Sequence, residues 1–165
     1  MIPLENFDIR YTTLEDLAYL QKWFEAPSAC DDFPFGMKEK EDSLKNWIGF
    51  SKYKASLTGL VDNVPVAIGT LFLMPYRKVA HHCSFYLIVD PNYRRKGIGT
   101  TMVRNLLHLA KTRFRLESVH VEIYEPSALL SILQKNGFEQ QIRQENYAKI
   151  NGCPKARLVL EHFFK

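Results

Sequence analysis

Tyr93-Arg94-Arg95-Lys96-Gly97-Ile98-Gly99-Thr100 packs three cations and two glycines into eight residues. Glycines let a diphosphate approach the backbone closely, and Arg94, Arg95 and Lys96 bring formal charge to it. The flanking residues make the stretch a binding loop. An apolar run, Phe85-Tyr86-Leu87-Ile88-Val89, and an Asp90-Pro91 break precede it. Behind it Val103, Leu106, Leu107, Ala110 and Phe114 recur at helical spacing, with Arg104, His108, Lys111 and Thr112 on the other side. The order is therefore strand, glycine loop, helix. A helix N-terminus offers unpaired N–H groups and partial positive charge. The chemistry implied is the holding of a polyphosphate cofactor.

The elements that must position this loop are legible on both sides of it. Phe7 to Tyr11 reads as a short strand. Thr13 is an N-cap candidate, followed by Glu15 and Asp16 in the first turn of a helix with Leu14, Leu17, Ala18, Leu20 and Phe24 inward. Pro27 ends it. A loop carrying Asp31, Asp32, Phe33, Pro34, Phe35 and Gly36 leads to a second helix over Lys38 to Phe50. Strands are predicted over Ala55 to Val61 and Val66 to Leu73, around an Asp62-Asn63-Val64-Pro65 turn, and over His81 to Val89. Ser118 to Tyr124 alternates Val119, Val121 and Ile123 against His120 and Glu122. Pro126 opens a helix reaching Asn136, with Gly137 as its C-terminal cap. Strands over Ile142 to Ile150 and Ala156 to Phe163, joined at Asn151-Gly152, close the chain. The order is β-α-α-β-β-β-α-β-α-β-β.

Composition narrows the class. A chain of 165 residues with 46% hydrophobic content is one self-sufficient domain over 1–165, not a disordered segment. Its net charge of +4 suits a polyanionic ligand but includes no basic block for nucleic acid. An RNA-binding role for Arg94, Arg95 and Lys96 is disfavoured, because no aromatic platform is interleaved with them. Cys30, Cys83 and Cys153 are odd in number and form no CxxC pair, which points to a reducing compartment and no metal site. Glu5, Asp8 and Arg10 argue against a signal peptide, and no apolar run approaches the ~20 residues of a membrane span. The expectation is a cytoplasmic protein, monomer or homodimer, with no nucleic-acid or membrane partner.

The spacing Arg94-x-x-Gly97-x-Gly99 is neither a P-loop, which ends in Gly-Lys-Ser/Thr, nor the three-glycine dinucleotide fingerprint. After Leu87-Ile88-Val89-Asp90-Pro91, and with a later Lys135-Asn136-Gly137-Phe138, it resembles the acetyl-CoA signature of the GCN5-related N-acetyltransferases, the GNAT superfamily. The order of elements extends the resemblance over nearly the whole chain. The first helical region looks most like the branch that acetylates N-terminal alanine or serine of ribosomal proteins. The resemblance implies an α/β fold with a mixed, mostly antiparallel central sheet flanked by helices. It implies acetyl-CoA as cosubstrate, with no metal. Leu87, Ile88 and Val89 would pair with the pantetheine arm, and Arg94, Arg95, Lys96, Gly97, Ile98, Gly99 and Thr100 would hold the pyrophosphate.

It also implies transfer of the acetyl group to a primary amine on a peptide N-terminus, a lysine or a small amine, by direct attack in a ternary complex. A lysine amine with pKa ~10.4 is neutral in under ~1% of molecules at pH 7, so a base is useful. The candidates are His81, His82, Glu122 and Tyr124, with Glu122 and His81 taken as catalytic. Strand parity puts His81 with Cys83, Phe85 and Leu87, and His82 on the opposite face. Two departures from the family pattern stand out. The strand before the glycine loop has no glutamate. Leu133 occupies the position of the usual tyrosine acid, and Pro126 or Ser127 that of an asparagine. These departures keep open an alternative: a catalytically weak CoA-binding regulatory or scaffold protein. In the family the first two helices border the acceptor, which places Asp31 and Asp32 there to hold a cationic amine, walled by Phe33 and Phe35.

Overall fold

The computed structural model describes residues 4–165; the first three residues of the charged N-terminal stretch lie outside them. The strands are β1 (Phe7–Tyr11), β2 (Ser56–Val61), β3 (Val64–Leu73), β4 (His82–Val89), β5 (Ser118–Tyr124), β6 (Glu139–Ile150) and β7 (Cys153–Phe163). The helices are α1 (Leu17–Trp23), α2 (Lys40–Gly49), α3 (Ile98–Thr112) and α4 (Leu129–Lys135). The expected order holds element for element. The strands form one seven-stranded sheet in the order β1-β2-β3-β4-β5-β7-β6. Every pairing is antiparallel except β4 with β5, which is parallel.

Alternation along the strands divides the core in two. On one face α3 and α4 cover Leu71, Cys83, Phe85, Leu87, Val119, Val121, Ile123 and Leu158. On the other, Leu20, Trp23, Phe24, Leu44, Trp47 and Ile48 of the first helical region pack on Ile68 and Ile88. Gly69 lets α3 lie close to the sheet, since a Cβ there would stand 2.5 Å from Leu106 Cδ1.

Several boundaries differ from expectation. The β2–β3 turn is only Asp62-Asn63, both at positive φ, and Val64 and Pro65 already belong to β3. Pro65 is tolerated because the register shifts at Gly59/Leu60, so no regular ladder bond is demanded of it. Pro126 does not begin a helix. α4 starts at Leu129, whose N–H donates to Ser127 Oγ at 3.2 Å. Its end is as expected: Phe138 N–H reaches Leu133 O at 3.0 Å, Gly137 N–H reaches Gln134 O at 3.1 Å, and Gly137 takes φ +84. His81 precedes β4 and is exposed.

Beneath the first helical region runs a chain of buried hydrogen bonds. Arg10 donates to both oxygens of Asp16, at 2.7 and 2.9 Å, and Thr58 Oγ1 donates to Oδ2 at 2.9 Å. Thr12, Ser56 and Thr70 continue the chain to Trp47 Nε1. Burial raises the Asp16 pKa, but the Arg10, Thr13 and Thr58 hydrogen bonds outweigh it and hold the carboxyl below its ordinary value. A depressed folded-state pKa means stabilisation present above the unfolded value of ~3.9 and lost as pH falls through the folded one. Asp16→Asn is therefore expected to cost about 1–3 kcal/mol at pH 7. In urea melts repeated at falling pH, the gap to the parent should close below the ordinary carboxylate range.

Among the described residues no helix is long and apolar enough to cross a membrane.

Candidate active site

The parallel pairing of β4 with β5 lasts for three positions only: His82 with Ser118, Cys83 with Val119, and Ser84 with His120. Beyond Ser84 the two strands diverge. β4 stays paired with β3 as far as Val89, and β5 stays paired with β7 as far as Tyr124. Phe85 to Val89 thus have a partner strand on one side and an open wedge on the other. Such a crevice, outside the carboxyl ends of parallel strands, is where open α/β sheets take ligands.

The glycine loop stands at the mouth of the wedge. Asp90 Oδ1 accepts from Asn92 N at 2.9 Å, turning the chain out of β4. Arg95 lies at φ 61 and Gly97, the N-cap of α3, at φ 83, and no side chain caps the helix. Arg94, Arg95 and Lys96 are exposed. Ile98 is buried at 3% exposure, so its backbone N–H, not its side chain, is what it offers a ligand. The structure thus brings Leu87, Ile88, Val89 and Arg94 to Thr100 to one opening.

The polar face of the sheet continues inward from the wedge. It carries His82, Ser84 and Tyr86 on β4, and His120, Glu122 and Tyr124 on β5. Arg157 and Glu161 add to it from β7, opposite Tyr124 and His120. Glu122 Oε1 accepts from Tyr124 Oη at 2.6 Å, and Oε2 from Arg157 Nη2 at 3.0 Å. Arg157 also donates to Gln144 at 2.7 Å and lies 4.7 Å from the Tyr147 ring centroid. Burial first, then the Glu122 hydrogen bond and charge, push the Tyr124 phenol far up, so it stays protonated and donates. Tyr86 is raised by burial and, less, by the charge of Glu122.

Next to this face lies a groove of about 410 Å³ lined by Pro34, Phe35, Glu39, Ser43, Asn46, Phe72, Ser84 and Tyr86. Its carboxylate, Glu39, was not singled out from the sequence, because only folding brings the start of α2 over β3 and β4. Phe33 does stand at this wall, 5.2 Å from Tyr86 and 5.5 Å from Trp47 between ring centroids. Asp32 does not itself line this groove. Its side chain is exposed at the surface, yet desolvation by its surroundings raises its carboxyl, and the Ser127 hydroxyl and the Arg94 charge pull it down without reversing the direction. Leu133 is fully buried in the α3-side core and presents no group to the wedge. Burial pushes the Cys83 thiol up to about 12 and raises that of Cys30, so neither is a nucleophile at neutral pH. Glu122 and His120 share the polar face of β5, and His81 lies exposed ahead of β4.

The match to known proteins follows this geometry. The family model of the acetyltransferase (GNAT) family matches residues 20–138. No curated protein matches the chain by sequence. Among solved structures, yncA of Salmonella typhimurium, assigned as an acetyltransferase and solved with its cofactor acetyl-CoA, superposes with a TM-score of 0.83 at 12% identity, over 98% of this chain and 95% of that one. A GNAT-family acetyltransferase from Streptococcus pneumoniae gives 0.79 at 17% identity, over 96% and 99%. A ribosomal-protein-alanine N-acetyltransferase from Brucella melitensis gives 0.77 at 18%, over 95% and 99%. At these identities the superpositions speak for the fold, and with the family match over most of the sequence they agree on one conclusion: the chain belongs to the acetyltransferase (GNAT) family.

Proposed function

We propose that this protein is an acetyl-CoA-dependent N-acetyltransferase that modifies a primary amine by direct transfer in a ternary complex. The observation that carries the reading is the wedge between β4 and β5, with the uncapped N-terminus of α3 and three exposed cations at its mouth. That arrangement fits acetyl-CoA: Leu87, Ile88 and Val89 line the wedge for the pantetheine arm, and Arg94 to Thr100 receive the pyrophosphate. Bound acetyl-CoA supplies a thioester whose C–S bond breaks as the new C–N bond forms, the electron pair leaving on sulfur. Direct transfer is supported by the raised pKa values of Cys30 and Cys83, which make poor acyl carriers. Three free thiols support a reducing, cytoplasmic setting. The likeness to the Brucella enzyme supports a peptide N-terminus as one acceptor class, beside lysine and small amines.

Glu122 supplies the acidic side chain on the acceptor side, paired with Arg157 at 3.0 Å. His81, exposed ahead of β4, touches this face only through its ring contact with His82, 5.0 Å between centroids. A CoA-binding regulatory or scaffold role is favoured by one observation, the burial of Leu133 where the family's acid would stand. Release of CoA thiol from acetyl-CoA on incubation with an amine panel separates the two; no release with any amine overturns the enzymatic reading.

Asp31 and Asp32 belong to this reading as the acceptor-side carboxylates, with a refinement from the surroundings of Asp32. Asp31→Asn should raise the acceptor KM and leave acetyl-CoA affinity unchanged. Asp32→Asn, which removes a negative charge facing Arg94, should also tighten acetyl-CoA binding. Calorimetry and steady-state kinetics on the two variants check this. Unchanged values in both would reduce the pair to turn residues.

A further inference from the structure

We propose that His120 is the group that takes the proton from the acceptor amine, with His82 as its positioning partner. The proposal rests on the acetyltransferase reading and assigns that site a residue. The first observation is placement. Ser84 and His120 are the last paired positions before β4 and β5 separate, and both point to the polar face. Ser84 also lines the groove that holds Glu39, Phe72 and Tyr86. His120 therefore stands at the vertex where the groove meets the wedge, within one strand spacing of both. An amine in the groove that meets a thioester in the wedge would come near this point.

The second observation is an unmet hydrogen bond. Among the described residues, two buried side-chain atoms lack a partner: His82 Nδ1 and Arg157 Nε. Both belong to residues on the polar face, one on each strand flanking β5. The His82 and His120 rings meet edge to face at 5.3 Å between centroids. A buried ring nitrogen without a partner is costly, and a site that passes a polar atom or a water through it removes that cost.

The third observation is the set of charges around the imidazole. His82 faces it from β4, Glu122 from its own strand, and Glu161 and Arg157 from β7. Burial lowers its pKa most, and His82 and Arg157 add to that; Glu161 and Glu122 oppose them without reversing the direction. The ring is neutral at pH 7 and open to a proton. By contrast, both oxygens of Glu122 are already engaged. The proton that leaves the amine nitrogen passes to an imidazole nitrogen of His120. Glu122 and Glu161 stabilise the cation that forms, and His82 or water returns the proton to solvent.

The test combines titration and kinetics. Imidazole signals of the CoA-bound protein, assigned with His120→Gln and His82→Gln, should show His120 titrating below the ordinary histidine value of ~6.5. His82→Gln should move that titration. With phenethylamine, spermidine and an alanyl peptide as probes, His120→Gln should lower kcat by ~10²–10⁴-fold and remove the acid limb of the pH profile. Acetyl-CoA affinity by calorimetry should stay as in the parent. A His120 that titrates at or above the ordinary value, or a variant with parental rate and pH profile, overturns the proposal. Where a probe turns over too slowly for a profile, the titration decides. Loss of acetyl-CoA binding in the parent would instead overturn the cofactor reading.

Discussion

Gly99→Glu is expected to abolish acetyl-CoA binding. Gly99 lies in the first turn of α3, where uncapped N–H groups face the mouth of the wedge. A carboxylate there sets a negative charge beside the N-terminus of α3 and repels the phosphates. Charge-assisted hydrogen bonds contribute ~1.5–3 kcal/mol each, so losing two weakens binding by at least about a hundredfold. The fold should survive. A Cβ at Gly99 would stand 2.9 Å from Ile132 Cδ1, the tip of a flexible side chain that can turn aside. Gly99→Ala is the control, since it makes the same contact without the charge and should keep most of the affinity. Calorimetry with acetyl-CoA reads both. Parental affinity in Gly99→Glu would remove the pyrophosphate from this loop.

Glu122→Gln should carry the largest kinetic penalty on the acceptor side after His120 itself. The substitution keeps the shape of the side chain and removes its charge. It leaves the Arg157 guanidinium, now bonded to Glu122 at 3.0 Å, without a counter-ion, and takes a strong acceptor from Tyr124. The expected result is a kcat reduced by ~10²-fold with acetyl-CoA affinity unchanged, at the lower end of what a proton-handling group contributes. Some stability is lost as well, which would confuse the reading. The double variant Glu122→Gln/Arg157→Leu resolves it: removing the stranded cation should restore the melting temperature and leave the rate low. A single variant with parental kcat would make the Glu122–Arg157 pair structural only.

Most of the fold was open to reading because its signals are local. The cofactor loop showed itself in glycines, cations and the turn from strand to helix, all within a dozen residues. The alternation of β5 marked His120 and Glu122 as one face from the start. What escaped depended on contacts between distant segments. Nothing near Arg157 reveals that β7 lies beside β5 and aims its guanidinium at Glu122. Nothing near Glu39 reveals the groove beneath it. His81 was misplaced for a small reason: extending β4 by one residue assigns a side chain to a face that the strand, beginning at His82, does not include. Leu133 is legible as a departure from the family pattern, and the structure shows it fully buried in the core.

The brief union of β4 and β5 has a mechanical consequence. Backbone pairing across the centre of the sheet amounts to three positions, so strands β1 to β4 and strands β5 to β7 are two plates joined there and through the apolar core they share. A ligand in the gap touches both plates and binds the unfolded chain not at all. By mass action it adds ~2.7 kcal/mol at a hundredfold excess over its dissociation constant. The empty protein should therefore exchange amide hydrogens fastest along the inner edges of β4 and β5, and filling the gap should slow exchange there first.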